Sequence, residues 1–395
     1  VQLVKFTEDQ EDLRRYLREF IAGECPPAEV NRWEREGIYP DALYRKMGEL
    51  GWLGLAFSEE VGGADGSAIE LCILAEEVAR AGFDIAAGLG VNLFSAANVA
   101  HNGTREQVER YIPAVIRNDL RFCIAITEPE AGSDAASIRT RATAHDGGFR
   151  INGQKIFSTA AHVPETMMVV ACRTDPEADR HAGITVLLIP NDTPGVTIAA
   201  LPALGRNMVR INSIFFDDAW VPEANVLGEL NGGWSVLRNG LELERLFVSA
   251  GYAGAAQTVV DEALEYARTR EQFGRTIGEF QALSHMLVDM QTSVDAARLL
   301  VYKAAFLHAD GIPCEREVSQ AKLFGSETFV QVARDALQIF GGHGYVEDST
   351  VQRHLRDALS VTITAGTSQI QRNIVARHLG LGKRRRKTND RGATG

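Results

Sequence analysis

The chain lacks the features that announce several large functional classes. Its five cysteines, Cys25, Cys72, Cys123, Cys172 and Cys314, are odd in number, far apart and without a CxxC pair. This argues against a disulfide framework and a structural zinc site, and it predicts a reducing compartment and a cytoplasmic protein with no metal. No stretch reaches the roughly 20 apolar residues of a membrane span. The longest weakly polar run, Ile85 to Ala100, is broken by Asn92, Ser95 and Asn98. The N-terminal region shows no basic segment followed by an apolar one, so no secretory signal is expected. GxGxxG, a Walker A loop, HExxH and GxSxG are all missing, which removes the usual dinucleotide, nucleotide, zinc-protease and hydrolase signatures.

What is present describes a soluble globular protein: 395 residues, 45% hydrophobic and 24% charged. At roughly 150 residues per domain, the length suggests two or three domains with room for an internal ligand. The net charge of −11 comes from 41 basic and 52 acidic side chains. Gly382 to Gly395 carries Lys383, Arg384, Arg385, Arg386, Lys387 and Arg391 against Asp390, a local +5, which leaves −16 on the remainder. An acidic body opposes a nucleic-acid-binding surface, and the tail's composition predicts a solvated, disordered end.

The periodicity divides the chain into three. Thr7 and Gln10 form a capping-box signature before Leu13, Leu17, Phe20 and Ile21 at helical spacing. Asp41 to Leu50 and Ile69 to Ala81 repeat that period. From about Arg121 the texture turns to short β-branched runs: Phe149 to Phe157, Met167 to Cys172, Ile184 to Ile189, Val196 to Ala200 and Ile211 to Phe216. Gly147-Gly148, Pro190-Asn191 and Pro194-Gly195 punctuate them as turns. After Pro222 helical spacing returns over Trp234 to Arg268, Gln281 to His308, Cys314 to Gln338 and Gln369 to His378. Strands gathered between helical blocks predict an α+β protein with an antiparallel middle domain. The boundaries read as a helical domain over 1–120, a β domain over 121–226, a helical domain over 227–381 and a basic tail over 382–395.

The most unusual segment is Ala125-Ile126-Thr127-Glu128-Pro129-Glu130-Ala131-Gly132-Ser133-Asp134, leaving the first strand of the β block. Hydroxyls at Thr127 and Ser133 around a loop with Gly132 offer donors to an electron-rich ligand, and an Asx or ST turn that simply ends a strand is the plainer reading of the spacing alone. This segment resembles the flavin-binding signature of acyl-CoA dehydrogenases. So do Asn152-Gly153-Gln154-Lys155, Arg270-Glu271-Gln272-Phe273-Gly274-Arg275 with Ile277, Phe280 and Gln281, Gln338-Ile339-Phe340-Gly341-Gly342-His343-Gly344-Tyr345, and Gly366-Thr367-Ser368-Gln369-Ile370-Gln371-Arg372. The resemblance covers nearly all of residues 1–381 and keeps the family's order.

That resemblance implies the acyl-CoA dehydrogenase fold: a helical N-terminal domain, a β-barrel-like middle domain and a four-helix-bundle C-terminal domain. It implies FAD as cofactor. Ile126 and Thr127 would meet the flavin's pyrimidine edge and Thr159 its N5 region. Phe157 would flank the ring where many relatives have tryptophan. Gly132 and Ser133 would lie near the pyrophosphate or CoA, and Thr367 and Gln369 would contact the cofactor near the last helix. Arg270, Gln272, Phe273, Gln338 and Gly342 would serve the FAD of a neighbouring subunit, a guanidinium suiting the pyrophosphate by charge and forked donors. For Phe273, Phe280 and Phe340, core packing is the reading that helical spacing favours.

The chemistry needs a base for the proton alpha to a thioester carbonyl, and a carboxylate in an apolar pocket is suited to it. Well-known relatives place a glutamate just before Gly-Thr-Ser, where this chain has Ala365. Leu241-Glu242-Leu243-Glu244-Arg245-Leu246 instead resembles the second base position, found in isovaleryl-CoA and long-chain acyl-CoA dehydrogenases, with Glu244 as the base. The small Ala365 agrees with that arrangement, and its backbone N–H would serve the oxyanion site. Glu242 lies two positions away, so only one of the two faces the flavin. Arg245 would contact the pantetheine or CoA region, the alternative being a surface ion pair with Glu242. Ser133, Glu242, Arg245, Thr364 and Gly366 are the expected substrate contacts. Thr364 is bulkier than the isovaleryl enzyme's glycine, which leaves acyl length and branching open.

The expected activity is α,β-dehydrogenation of an acyl-CoA to the trans-2-enoyl-CoA, in fatty acid or branched-chain amino acid catabolism. A homotetramer, as a dimer of dimers, would pass electrons to an electron-transfer flavoprotein, with no membrane and no nucleic acid as partner. A carrier-protein thioester dehydrogenase, an enoyl reductase of the same family and a flavin-bearing DNA-associated protein are the alternatives.

Overall fold

The computed structural model describes residues 5–381; the basic tail over 382–395, expected to be disordered, lies outside the described residues. Six helices open the chain: α1 (Glu8–Glu24), α2 (Pro27–Glu36), α3 (Asp41–Glu49), α4 (Ala68–Ala79), α5 (Phe83–Asn102) and α6 (Arg105–Ile116). The capping box at α1 forms, with Gln10 N–H donating to Thr7 Oγ1 and Thr7 N–H to Gln10 Oε1. Ser67 with Glu70 and Thr104 with Gln107 start α4 and α6 in the same way, satisfying amides that a helix leaves unpaired. The run Ile85 to Ala100 is now seen as α5, long and apolar enough to cross a membrane by composition but buried inside the fold. It is a core helix, and its asparagines mark contacts within the core.

Strands β1 (Arg121–Ala125), β2 (Arg141–His145), β3 (Gly148–Thr159), β4 (Thr166–Arg173), β5 (Ile184–Pro190), β6 (Val196–Leu201), β7 (Ile211–Pro222) and β8 (Val226–Leu227) form one sheet ordered β6-β7-β3-β2-β4-β5-β8, with β1 on β4. Asp146 and Gly147, both at positive φ, close the β2–β3 hairpin. The antiparallel expectation needs correction, because the sheet is mixed. β1 runs parallel to β4, Arg121 opposite Thr166 through Ala125 opposite Val170, and β2 touches β4 in parallel. The physical reason is the β3–β4 connection. It reverses the chain but carries it past β2, so β4 runs opposite to β3, touches β2 in parallel and lies beside β1 in the same direction.

The last third contains α7 (Gly233–Thr269), a small hairpin of β9 (Glu271–Gln272) and β10 (Arg275–Thr276), then α8 (Gln281–Ala309), α9 (Glu315–Phe340), α10 (Thr350–Val361) and α11 (Ser368–His378). α9 packs against α7, α8, α10 and α11, and α4 and α5 pack against α7. Gly254 shows how closely α7 approaches α4, since a Cβ there would clash with the Glu76 carbonyl oxygen. Glu76 and Glu77, buried on α4, take Arg14 and Arg18 of α1 and Arg298 of α8. Burying those carboxylates is tolerable because each is paired and hydrogen-bonded. One apolar core joins the N-terminal helices to the C-terminal ones, and a second lies within the sheet.

Candidate functional site

The sheet side of the site begins where β1 ends. Thr127 O accepts from Ile156 N–H at 2.9 Å, fixing the departing chain against β3. Lys155, wholly buried, donates to Ile126 O at 3.0 Å and to Glu128 Oε1 at 2.7 Å. Glu128 also accepts from the amides of Arg139 and Thr140. Burial pushes the Glu128 carboxyl up, but the Lys155 ammonium and these donors outweigh it and hold it below its ordinary value. The segment is therefore more than a strand-ending turn: a buried ion pair fixes it, leaving Ile126 and Thr127 half-buried and Gly132 and Ser133 exposed. Across from it, β3 loses register with β7 between Lys155 and Ser158. At that bulge Phe157 sits at φ +64 with 62% of its surface exposed. Positive φ in a bulky aromatic residue is costly, and such strain gathers at functional sites. Thr159 follows, half-buried.

The helical side is built on α7, α9 and the turn between α10 and α11. Glu244 is half-buried on α7 and has no hydrogen-bond or ion-pair partner among the described residues. Burial pushes its carboxyl up to about 7, against the pull of the Arg245 guanidinium and the Lys322 ammonium. Glu242 faces elsewhere, its Oε1 3.6 Å from Cys314 Sγ. The ion pair weighed for Arg245 and Glu242 is not among those of the described residues. Arg245 has a buried Nε without a partner, and burial lowers its pKa against Glu244, Glu315 and Glu242.

Ala365 lies in the turn at φ +53, and its N–H has no acceptor among the described residues. Thr364 is exposed, while Gly366 and Thr367 are half-buried. Gly366, at φ +80, leaves no room for a Cβ, which would meet Gln371 Nε2 at 2.7 Å. Gln371, wholly buried on α11, donates to Ala365 O and Gly366 O at 3.2 and 2.9 Å. Thr367 caps α11 by accepting from Ile370 N–H, and Gln369 is exposed beside it.

The third group stands apart. Arg270, Gln272, Phe273, Gln338 and Gly342 are all exposed. Tyr266 stacks on Phe340 with ring centroids 4.3 Å apart and meets His343, so the 270–273 hairpin and the 338–344 turn share one end of α7. Arg270 follows Glu244 by 26 positions, about 39 Å along a helix, so the structure does not bring this group to Glu244 of the same chain. The core reading of Phe273 is corrected, since its ring is 93% exposed. It sits on the hairpin after α7 has ended, where helical spacing no longer governs it. Phe280 and Phe340 are half-buried against the core.

These residues fit FAD. A flavin ring needs an apolar wall, and Phe157 offers an exposed one; its polar edge needs donors, and Thr127, Thr159 and the start of α11 offer them. Its pyrophosphate suits the open backbone at Gly132 and Ser133, where a Cβ at Gly132 would meet nothing within 4 Å.

Lys322 was missed. It belongs to the buried stripe Val318, Lys322, Gly325 and Phe329 of α9, and a lysine on an apolar helical stripe is the signal that could have found it. Lys155, Glu128 and Gln371 belong to the sequence motifs themselves, but their partners are visible only in the fold.

Family models for the acyl-CoA dehydrogenase N-terminal, middle and C-terminal domains match residues 7–119, 123–219 and 231–380. The chain is 38% identical over 379 residues to an acyl-CoA dehydrogenase of Bacillus subtilis (strain 168), covering 94% of this chain and 98% of that one. It is 34% identical to a mitochondrial isovaleryl-CoA dehydrogenase of Solanum tuberosum, covering 95% and 91%. It is 33% identical to the caffeyl-CoA reductase–Etf complex subunit CarC of Acetobacterium woodii, covering 94% and 98%. Among solved structures, butyryl-CoA dehydrogenase from Megasphaera elsdenii matches with a TM-score of 0.91 at 31% identity, covering 96% of this chain and 100% of that one. An FAD complex of PigA and the prolyl acyl carrier protein oxidase AnaB each match with a TM-score of 0.90 at 27% identity, covering 96% and 95% of this chain and 100% of each of theirs. With all three domains matched in order, the chain belongs to the acyl-CoA dehydrogenase family and is an FAD-dependent oxidoreductase.

Proposed function

We propose that the protein dehydrogenates an acyl-CoA thioester to the trans-2-enoyl-CoA, with Glu244 as the base for the alpha proton. The observation that carries this is a carboxylate without a partner, raised by burial to about 7, so that near neutral pH it is both ionised in part and basic enough to accept a proton. The Ala365 N–H, held at positive φ with no acceptor of its own, would donate to the thioester oxygen as negative charge develops there, acidifying the alpha carbon. Bound FAD supplies the acceptor for the beta hydride. Ile126, Thr127, Phe157 and Thr159 would orient it from the sheet side, Thr367 and Gln369 from the helical side, and Gly132 and Ser133 would lie near its pyrophosphate or the CoA. Arg245, Glu242, Thr364 and Gly366 would line the substrate's path.

The separation of Arg270, Gln272, Phe273, Gln338 and Gly342 from Glu244 supports a multi-subunit site, in which they reach the FAD of another copy within a homotetramer. An electron-transfer flavoprotein is the proposed acceptor, in keeping with the Etf complex to which the CarC relative belongs, and a cytoplasmic location is proposed from the five buried free cysteines. The likeness to AnaB, a prolyl acyl carrier protein oxidase, favours a second reading in which the thioester is borne by a carrier protein. Anaerobic titration of the holoprotein with a panel of acyl-CoAs and acyl-carrier-protein thioesters separates the two. Flavin bleaching by at least one acyl-CoA is expected; bleaching by carrier-protein thioesters alone would transfer the substrate to the second reading, and no bleaching by either would sink the dehydrogenase.

A further inference from the structure

Lys322 is wholly buried on α9. Its Nζ donates to Val361 O at 3.0 Å and to Gly366 O at 2.8 Å, the two ends of the turn that carries Ala365. No carboxylate among the described residues is within ion-pair distance of it. Placing an ammonium in such a site costs several kcal/mol unless its charge is compensated. Bracing the turn does not by itself require a charge, because the neutral amide of Gln371 already donates to both Ala365 O and Gly366 O. α9 lies along α7 here, with Cys314 Sγ 3.6 Å from Glu242 Oε1 and Gly325 against Ser249 and Tyr252, which sets Lys322 beside the stretch that carries Glu244; of the carboxylates, Glu244 acts on Lys322 most and Glu327 less.

We propose that Lys322 is a positioning residue for proton abstraction: its hydrogen bonds fix the 361–366 turn, and its buried ammonium favours the ionised form of the Glu244 carboxylate. This rests on the reading of Glu244 as the base. Burial pulls Lys322 down to about 8 while Glu244 opposes the fall, so at neutral pH it is largely charged and its field falls on Glu244.

The other groups around Glu244 are few. On α7 itself Arg245 also favours the ionised form, Glu242 is turned to Cys314, and Tyr252 is held neutral by burial. From α9, Glu315 and Glu327 act on Arg245 and Lys322 respectively, and from α11 Arg377 acts on Arg245. α5 runs beside this stretch, with Asn98 against Gly240 and Gly90 against Phe247, and between those contacts it carries no titratable residue. On α4, Glu76 and Glu77 are paired with arginines near Gly254, about 15 Å further along α7. On α10, Asp357 is raised by burial and by Asp84 and accepts from Arg206 N–H.

A double-mutant cycle tests this without relying on turnover. Thermal unfolding of wild type, Glu244→Gln, Lys322→Met and the double variant is followed from pH 4 to 9. Because the folded pKa of Glu244 is raised, its contribution to stability is full below about pH 4.5 and lost as pH rises through about 7. The gain from Glu244→Gln therefore grows over that range and then levels off. Other titrating groups, Asp357 included, cancel within each pair unless they couple to Glu244. In the Lys322→Met background the levelling-off point should move upward by about one pH unit, the low end of what an opposite charge does to a nearby carboxylate. In parallel, the pH at which flavin reduction by a bleaching acyl-CoA reaches half its maximum should rise by the same amount in Lys322→Met. A slower Lys322→Met with both midpoints unchanged would overturn the electrostatic role and leave Glu244 as the base. A Glu244→Gln that reduces its flavin as fast as wild type would instead sink the base reading, whatever Lys322 does.

Discussion

Lys155 in the sheet and Lys322 among the helices are both wholly buried, and each donates to the backbone of a segment that carries proposed contacts to FAD or substrate, Lys155 to one carbonyl and Lys322 to two. They differ in how their charge is met. Lys155 has a carboxylate of its own, Glu128 at 2.7 Å, which is in turn saturated by two amides. Lys322 has only carbonyls at hydrogen-bond distance and shares the field of Glu244, a group the reaction uses. The difference separates a closed ion pair, whose work is to hold a loop, from an open one, whose missing partner is the proposed base.

Removing each ammonium should expose that contrast. Lys155→Met strands the buried Glu128, so it should cost about 3–5 kcal/mol of stability and lower FAD retention. Lys322→Met strands no structural carboxylate and leaves Gly366 O with its Gln371 bond, so it should cost about 1–3 kcal/mol, the scale of an unsatisfied buried acceptor. Urea unfolding of the two variants reads this directly. Equal losses would mean that Glu128 and Glu244 meet their lysines alike and would erase the distinction.

A smaller effect sharpens the helical side. Ala365→Gly relieves the cost of positive φ but adds chain entropy to the unfolded state, so stability should shift by less than about 1 kcal/mol. Because the N–H remains, the rate of flavin reduction should stay within about threefold of wild type. A loss comparable to that expected for a base would mean that the Ala365 side chain, rather than its amide, matters to the reaction.

Much of this was legible in the sequence for physical reasons. The α, β, α order follows from a switch in hydrophobic period, and the capping box at Thr7 and Gln10 was read from residue type and spacing alone. The parallel placement of β1 on β4 was not legible, since periodicity gives a strand's faces but not the direction of its neighbour. Glu244 could be singled out because Ala365 had lost a carboxylate where relatives keep one. Its raised pKa needed the fold, which alone supplies the burial. Phe273 misled because an aromatic residue's exposure depends on where α7 stops. Lys322 escaped because a single polar residue on an apolar helical stripe has no meaning until the carbonyls of a distant turn are brought against it.

The most direct test of the account is the rate of anaerobic flavin reduction by a bleaching acyl-CoA in Glu244→Gln, set beside wild type at equal FAD content. The account predicts a rate lower by roughly 100-fold or more, the scale of a lost general base, with the same thiol ester still binding. A rate within about threefold of wild type would contradict it and place the base elsewhere.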